Sequence, residues 1–142
     1  MKFTKTLFIS LTMILFVLTG CSNGKEVKGD LLKVQERIGD ENKYEDFKEI
    51  TDNKQVQKVK DIILNRDDWK NAKVDTERPA DYKFAFKSKD PKISDKAVLY
   101  EIWISSNKDT VEVVAGSEYV QLNEEDSTDL LEILTGEKLS NL

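Results

Sequence analysis

Cys21 is the only cysteine in 142 residues, it follows Leu18-Thr19-Gly20, and the chain contains no histidine. A lone thiol can serve as a nucleophile in its thiolate form or as a site of covalent modification. Without His, the Ser-His-Asp and Cys-His arrangements, imidazole general bases and nearly all zinc sites are excluded. The six glycines form neither a G-x-G-x-x-G nor a P-loop, and Asp40-Glu41-Asn42-Lys43-Tyr44-Glu45 lacks the glycine of a calcium loop. Chemistry would fall to carboxylates, lysines, tyrosines and hydroxyls, and no spacing marks a hydrolytic carboxylate pair. No catalytic residue, cofactor or metal is expected.

The residues ahead of Cys21 give the thiol its use. Lys2 and Lys5 form a basic tip, and Leu7 to Leu18 is a short apolar run. That run is well below the roughly 20 residues a membrane-spanning helix needs, so it reads as a secretory signal peptide over 1–20. Leu18-Thr19-Gly20-Cys21 resembles the lipobox of bacterial lipoproteins. The resemblance implies cleavage between Gly20 and Cys21 and a diacylglyceryl thioether, with acyl chains such as palmitate, on Cys21. An unpaired thiol in an oxidising exported compartment needs an explanation, and alkylation supplies one. Each buried methylene contributes about 0.8 kcal/mol, and two chains anchor stably where one does not. The expected location is the extracytoplasmic face of the cell membrane. The use of lysine for all basic positions except Arg37, Arg66 and Arg78 fits a low-GC Gram-positive source.

Cleavage removes Lys2 and Lys5 and no acid, so the formal charge of −5 becomes −7. That balance argues against nucleic acid as a partner, since such affinity depends on neutralising phosphates. It argues equally against a chain lying flat on anionic lipid. Residues 21–30 read as a lipidated, flexible tether, reaching about 30 Å at most and nearer 17 Å as a coil. Residues 31–142 are long enough for one domain with a single core.

Alternation of Leu32, Val34 and Ile38 with Lys33, Gln35 and Arg37 predicts a strand over 31–38, a turn over 39–42 and a second strand over 44–51. A helix is predicted from about Asn53 to Arg66, with Asp52 and Gln55 as a capping box. Val56, Val59, Ile62, Ile63 and, a turn later, Trp69 share its apolar face. Pro79 lies in a loop, Tyr82 to Lys87 is a strand, and Asp90-Pro91-Lys92 is a turn. Ala97 to Ser105 is predicted as a strand with Val98, Tyr100, Ile102 and Ile104 on one face. A hairpin over 106–109 leads to Thr110–Ala115, and Gly116-Ser117 suits a two-residue type II′ turn before Tyr119–Leu122. Asn123 caps a final helix carrying Leu130, Leu131 and Leu134, which Gly136 ends. These loops set Trp103 opposite Glu112, Glu112 opposite Gln121, Glu101 opposite Val114, and Val114 opposite Tyr119. The fold class is α+β: an antiparallel β-meander with two helices packed on one face, in the order β-β-α-β-β-β-β-α.

This succession, with its Y-x-I-W-I strand, E-Y-V-Q-L strand and closing D-L-L-x-I-L helix, resembles the YhfM-like domain of Bacillus-type lipoproteins over about 50–136. The matching motifs are hydrophobic patterns, so the resemblance implies a fold and no activity.

Three surfaces could carry function. Tyr82, Phe84 and Phe86 form an aromatic row that would either stack on sugars or face the core. Trp103 lies on the sheet face opposite Ile102 and Ile104, with Leu99, Glu101, Glu112, Val114, Tyr119 and Gln121. That face is either covered by residues 31–50 or is a binding surface rich in hot-spot residue types. Glu124-Glu125-Asp126 opens the last helix, where acids complement the helix dipole. The expected function is a membrane-tethered, non-enzymatic interaction module acting through the Trp103 face on an envelope protein or cell-wall component. The alternatives are a glycan or small-ligand binder using the aromatic row, and a carboxylate-based hydrolase.

Overall fold

The computed structural model describes residues 29–71, 77–93 and 96–142. Alternation in the sequence becomes strands β1 (Leu31–Arg37), β2 (Tyr44–Ile50), β4 (Tyr82–Lys87), β5 (Tyr100–Ile104), β6 (Val111–Ala115) and β7 (Glu118–Gln121). Between them lie helix α1 (Asn53–Leu64), a two-residue strand β3 (Lys70–Asn71) and helix α2 (Glu124–Thr135). The strands form one sheet in the order β2-β1-β4-β5-β6-β7-β3, with every neighbouring pair antiparallel. The class is therefore α+β, as the sequence indicates, and β4 to β7 are the expected meander.

Every expected pairing in the meander is present: Trp103 with Glu112, Glu101 with Val114, Glu112 with Gln121 and Val114 with Tyr119. Register is this firm because one face carries the core, so a one-residue slip would turn Ile102, Val113 and Val120 outward. Among the residues flanking the β6–β7 turn only Gly116 takes a positive φ, of 62°, which meets the demand of a II′ turn at its first position.

One face of the sheet buries Leu32, Val34, Phe84, Phe86, Tyr100, Ile102, Val111, Val113, Val120 and Leu122. Against it pack Val56, Val59, Ile62 and Ile63 of α1 and Leu130, Leu131 and Leu134 of α2. Asp52 Oδ1 accepts from Gln55 N at 2.9 Å, the N-cap half of the expected box, and Asn123 Oδ1 accepts from Asp126 N at 2.8 Å. Gly136 ends α2 in the left-handed conformation, its N–H on Glu132 O. Buried Ser127 reaches out of α2 to accept from Val111 N at 3.0 Å, tying the helix to the start of β6.

Four details depart from expectation. Helix α1 ends at Leu64 and not Arg66; Trp69 reaches the core through the following loop, donating its indole N–H to Ile63 O at 3.0 Å. Strand β3 carries no sequence signal, because its two exposed polar residues are defined solely by pairing with Tyr119 and Glu118. The meander is not the whole sheet: β1 lies between β2 and β4. Finally, β5 begins at Tyr100, and Val98 is 44% exposed rather than inward-facing. The β4–β5 pairs stop at Phe84 with Tyr100, so the ladder does not hold Val98 or Leu99.

Burial pushes the Tyr82 hydroxyl up to about 12, and the Glu36 carboxylate 3.3 Å away adds to the shift. The native state therefore holds this proton more tightly than the unfolded chain, whose phenol titrates near about 10. Stability should fall by about 2–3 kcal/mol as pH rises from about 10 to 12, and the effect is absent below that window. Denaturant titrations across this range should show the decline, with Tyr82→Phe making it shallower. An unchanged slope in Tyr82→Phe would contradict the assignment.

Candidate functional site

Among the described residues, no helix covers the opposite face of the sheet. Residues 31–50 do not fold over it; they form β1 and β2, which extend the sheet in its own plane. The helices occupy the core side. The registers place one residue from each of seven strands in a single row across the open face: Asp46, Gln35, Lys83, Glu101, Val114, Tyr119 and Lys70.

The two halves of this row differ. On the β2–β5 side the polar groups satisfy one another. Gln35 donates to Asp46 at 2.9 Å, and Lys83 meets Glu101 at 3.0 Å. Lys83 Nζ also lies 4.0 Å from the centre of the Tyr44 ring. The Tyr44 hydroxyl donates to Ala80 O at 2.9 Å; burial pushes its proton affinity up, with Lys83 opposing. On the β5–β7 side lie half-buried Trp103 and Tyr119, buried Val114, half-buried Glu112 and exposed Gln121. These are the residues the sequence assigns to a binding face, and the structure does bring them together. Leu99 lies at the margin, exposed and just ahead of β5.

Trp103 is held in place. Its indole N–H donates to Arg78 O at 2.9 Å. Arg78 is itself fixed, donating to Ile104 O at 2.8 Å and pairing with Asp81. Asp81 also accepts from Arg37 at 3.2 Å and from Ile104 N at 2.8 Å, so one carboxylate joins β1, the loop before β4, and β5. Sequence reasoning missed this centre. The available signal was composition: in a lysine-rich chain, an arginine stands where a planar fork with several donors is needed. Arg66 fits the same rule, reaching Asp68, Asp126 and Ile62 O.

The aromatic row has a different fate. Tyr82, Phe84 and Phe86 are buried; Phe84 stacks on Tyr100 at 4.9 Å, and Phe86 meets both edge-on. Of the two places the sequence left open for this row, the structure shows the core. In the acidic cluster, Glu124, Glu125 and Asp126 occupy the first turn of α2, where they complement its dipole. Asp126 accepts from the Asn123 side chain at 3.2 Å and pairs with Arg66 at 3.5 Å. Among the described residues no group of three or more acids is placed to hold a metal. Gly20 and Cys21 lie outside the described residues, as does the expected signal peptide.

Replacing Asp81 with Ala would strand partly buried Arg37 and free the Arg78 loop that supports Trp103. The expected cost is about 3 kcal/mol in stability, measured by denaturant unfolding. The Trp103 emission should also shift toward that of a solvated indole; a loss of stability without that shift would separate the carboxylate from the Trp103 support.

Comparison with known proteins supplies the family. No curated protein and no solved structure matches the chain. A family model described as YhfM protein matches residues 25–140, which takes in β1 and β2 as well as the segment from Ile50 to Gly136. The chain belongs to the YhfM family.

Proposed function

We propose that this protein is an extracytoplasmic lipoprotein, tethered through Cys21, whose open sheet face binds an envelope protein or cell-wall component without catalysis. The observation that carries the reading is the cluster of Trp103, Tyr119, Val114, Glu112 and Gln121 on a face that no described helix covers. Aromatic side chains fixed in orientation lose little entropy on binding, and Trp and Tyr dominate interface hot spots. The indole of Trp103 is fixed in this way by the Arg78 carbonyl. Glu112 and Gln121, directly opposite each other, supply polar groups at the rim. The absence of His and of a free thiol after lipidation supports binding over catalysis.

Photo-cross-linking from position 121 on intact cells, compared with the same chain carrying Trp103→Ala, tests the reading. Capture should fall at least about tenfold, matching a hot-spot truncation of roughly 2 kcal/mol. The fold should lose much less than the about 3–5 kcal/mol of a core aromatic, because Trp103 is only half-buried. A core-sized stability loss with unchanged capture would remove the binding face.

Cys21→Ser should release the protein from the membrane fraction without altering the melting temperature of its domain, because the polar, glycine-containing sequence after Cys21 reads as a tether ahead of β1. Membrane retention of this variant in fractionated cells would refute the tether.

A further inference from the structure

Among the described residues five large apolar side chains are exposed, and three of them, Ile93, Val98 and Leu99, at 49%, 44% and 45%, lie in the single connection between β4 and β5. That connection runs over residues 88–99, long for a hairpin, whose loops usually have about 2–5 residues. Its charge also departs from that of the chain. Lys89, Lys92 and Lys96 outnumber Asp90 and Asp95 in a protein of net charge −5.

The place where the chain enters the domain gives this loop its meaning. Gly29 is pressed against the end of β4: a Cβ there would sit 2.8 Å from the Phe86 Cβ and 3.1 Å from Lys87 N. Asp30 N donates to Lys87 O at 3.0 Å, and Asp30 Oδ1 accepts from Lys89 N at 2.6 Å. Only a residue without a side chain allows that approach, so the tether leaves the domain at the first residues of the β4–β5 connection. Cys21 precedes Gly29 by eight residues, a reach of about 28 Å at full extension and about 16 Å as a coil. The register puts the β6–β7 turn at the same end of the sheet, since Tyr100 faces Ala115. Trp103 and Arg78 lie toward the other end, where β5 leads into the hairpin before Val111.

We propose that residues 92–93 and 96–99 dock the domain onto an anionic lipid bilayer beside its own anchor, with Ile93, Val98 and Leu99 entering the interface and Lys92 and Lys96 meeting lipid phosphates. The proposal rests on the Cys21 tether. Apolar side chains flanked by lysines bind interfaces through buried area together with attraction to anionic lipid. The acidic remainder of the domain opposes flat adsorption, so contact is confined to this end. Tethering raises the local lipid concentration, so a weak loop contact suffices. Docked this way, the domain stands with the Trp103 end of the open face turned away from the membrane.

The test uses the full chain, in which a lipidated Cys21 leaves an introduced thiol as the only one available. Ile93→Cys, Leu99→Cys and, at the far end, Ile38→Cys are each labelled with an environment-sensitive dye and reconstituted into vesicles of phosphatidylcholine with phosphatidylglycerol. Emission from positions 93 and 99 should shift to the blue and be quenched by bilayer-resident spin labels, while position 38 stays water-like. Lys92→Glu with Lys96→Glu should reverse the shift on these vesicles. Water-like emission at 93 and 99 in a chain that floats with the vesicles overturns the docking and leaves the tether intact. If the chain does not float, the tether reading has failed; Cys21→Ser versions mixed with excess vesicles then decide the loop by the same shift. A blue shift in detergent without vesicles that grows with protein concentration would assign the loop to a second copy of the chain and also overturn the proposal.

Discussion

The whole structure depends on one constraint: a seven-stranded sheet that packs its core and both helices on one face. Ile102 and Val113 are fully buried while their sequence neighbours Glu101, Trp103 and Glu112 are not, and this alternation fixes the register of every strand in the meander. The helices exist to cover that face. Neither α1 nor α2, at 12 residues each, would be stable alone in water, so their apolar stripes and the sheet are mutually dependent. The price of one-sided burial is a second face that must be made tolerable in water. It is made so by cross-strand pairs such as Lys83 with Glu101 and Lys33 with Glu49.

Arginine placement reinforces the same plan. Asp81 gathers Arg37, Arg78 and the Ile104 amide at one end of the sheet. Through Arg78 O this centre also orients the Trp103 ring. A surface that holds its most prominent aromatic by a hydrogen bond to backbone is organised before any partner arrives, which lowers the entropy cost of binding. The site and the fold therefore share parts, and a change at Asp81 acts on both.

The meander was legible because its signals are local. Alternation, a Gly116 turn and capping residues at Asp52, Asn123 and Gly136 each act within a few positions of the chain. What escaped is what depends on distant partners. Strand β3 has no apolar pattern and is a strand only because Tyr119 and Glu118 lie beside it. The insertion of β1 between β2 and β4 is a long-range choice, since hairpin alternation is the same at an edge or inside a sheet. Val98 continues the alternation of Tyr100 and Ile102, yet the ladder ends before it, which no pattern in its own residues reveals. Parity sufficed to put Trp103 on the same face as Glu101 and Glu112; that residues 31–50 lie in the plane of the sheet required the sheet order. Asp81 was missed because two of its three partners, Ile104 N and Arg37, are 23 and 44 residues away in sequence.

The central claim is that the open face is occupied in the cell. Chemical accessibility measures this most directly, with Gln121→Cys on the face and Lys54→Cys on exposed α1 as reporters in chains whose Cys21 is lipidated. A membrane-impermeant maleimide should modify both positions at similar rates in the purified protein. On intact cells position 121 should become protected while position 54 does not. Equal reactivity of the two positions on cells would show that nothing binds there and would contradict the account.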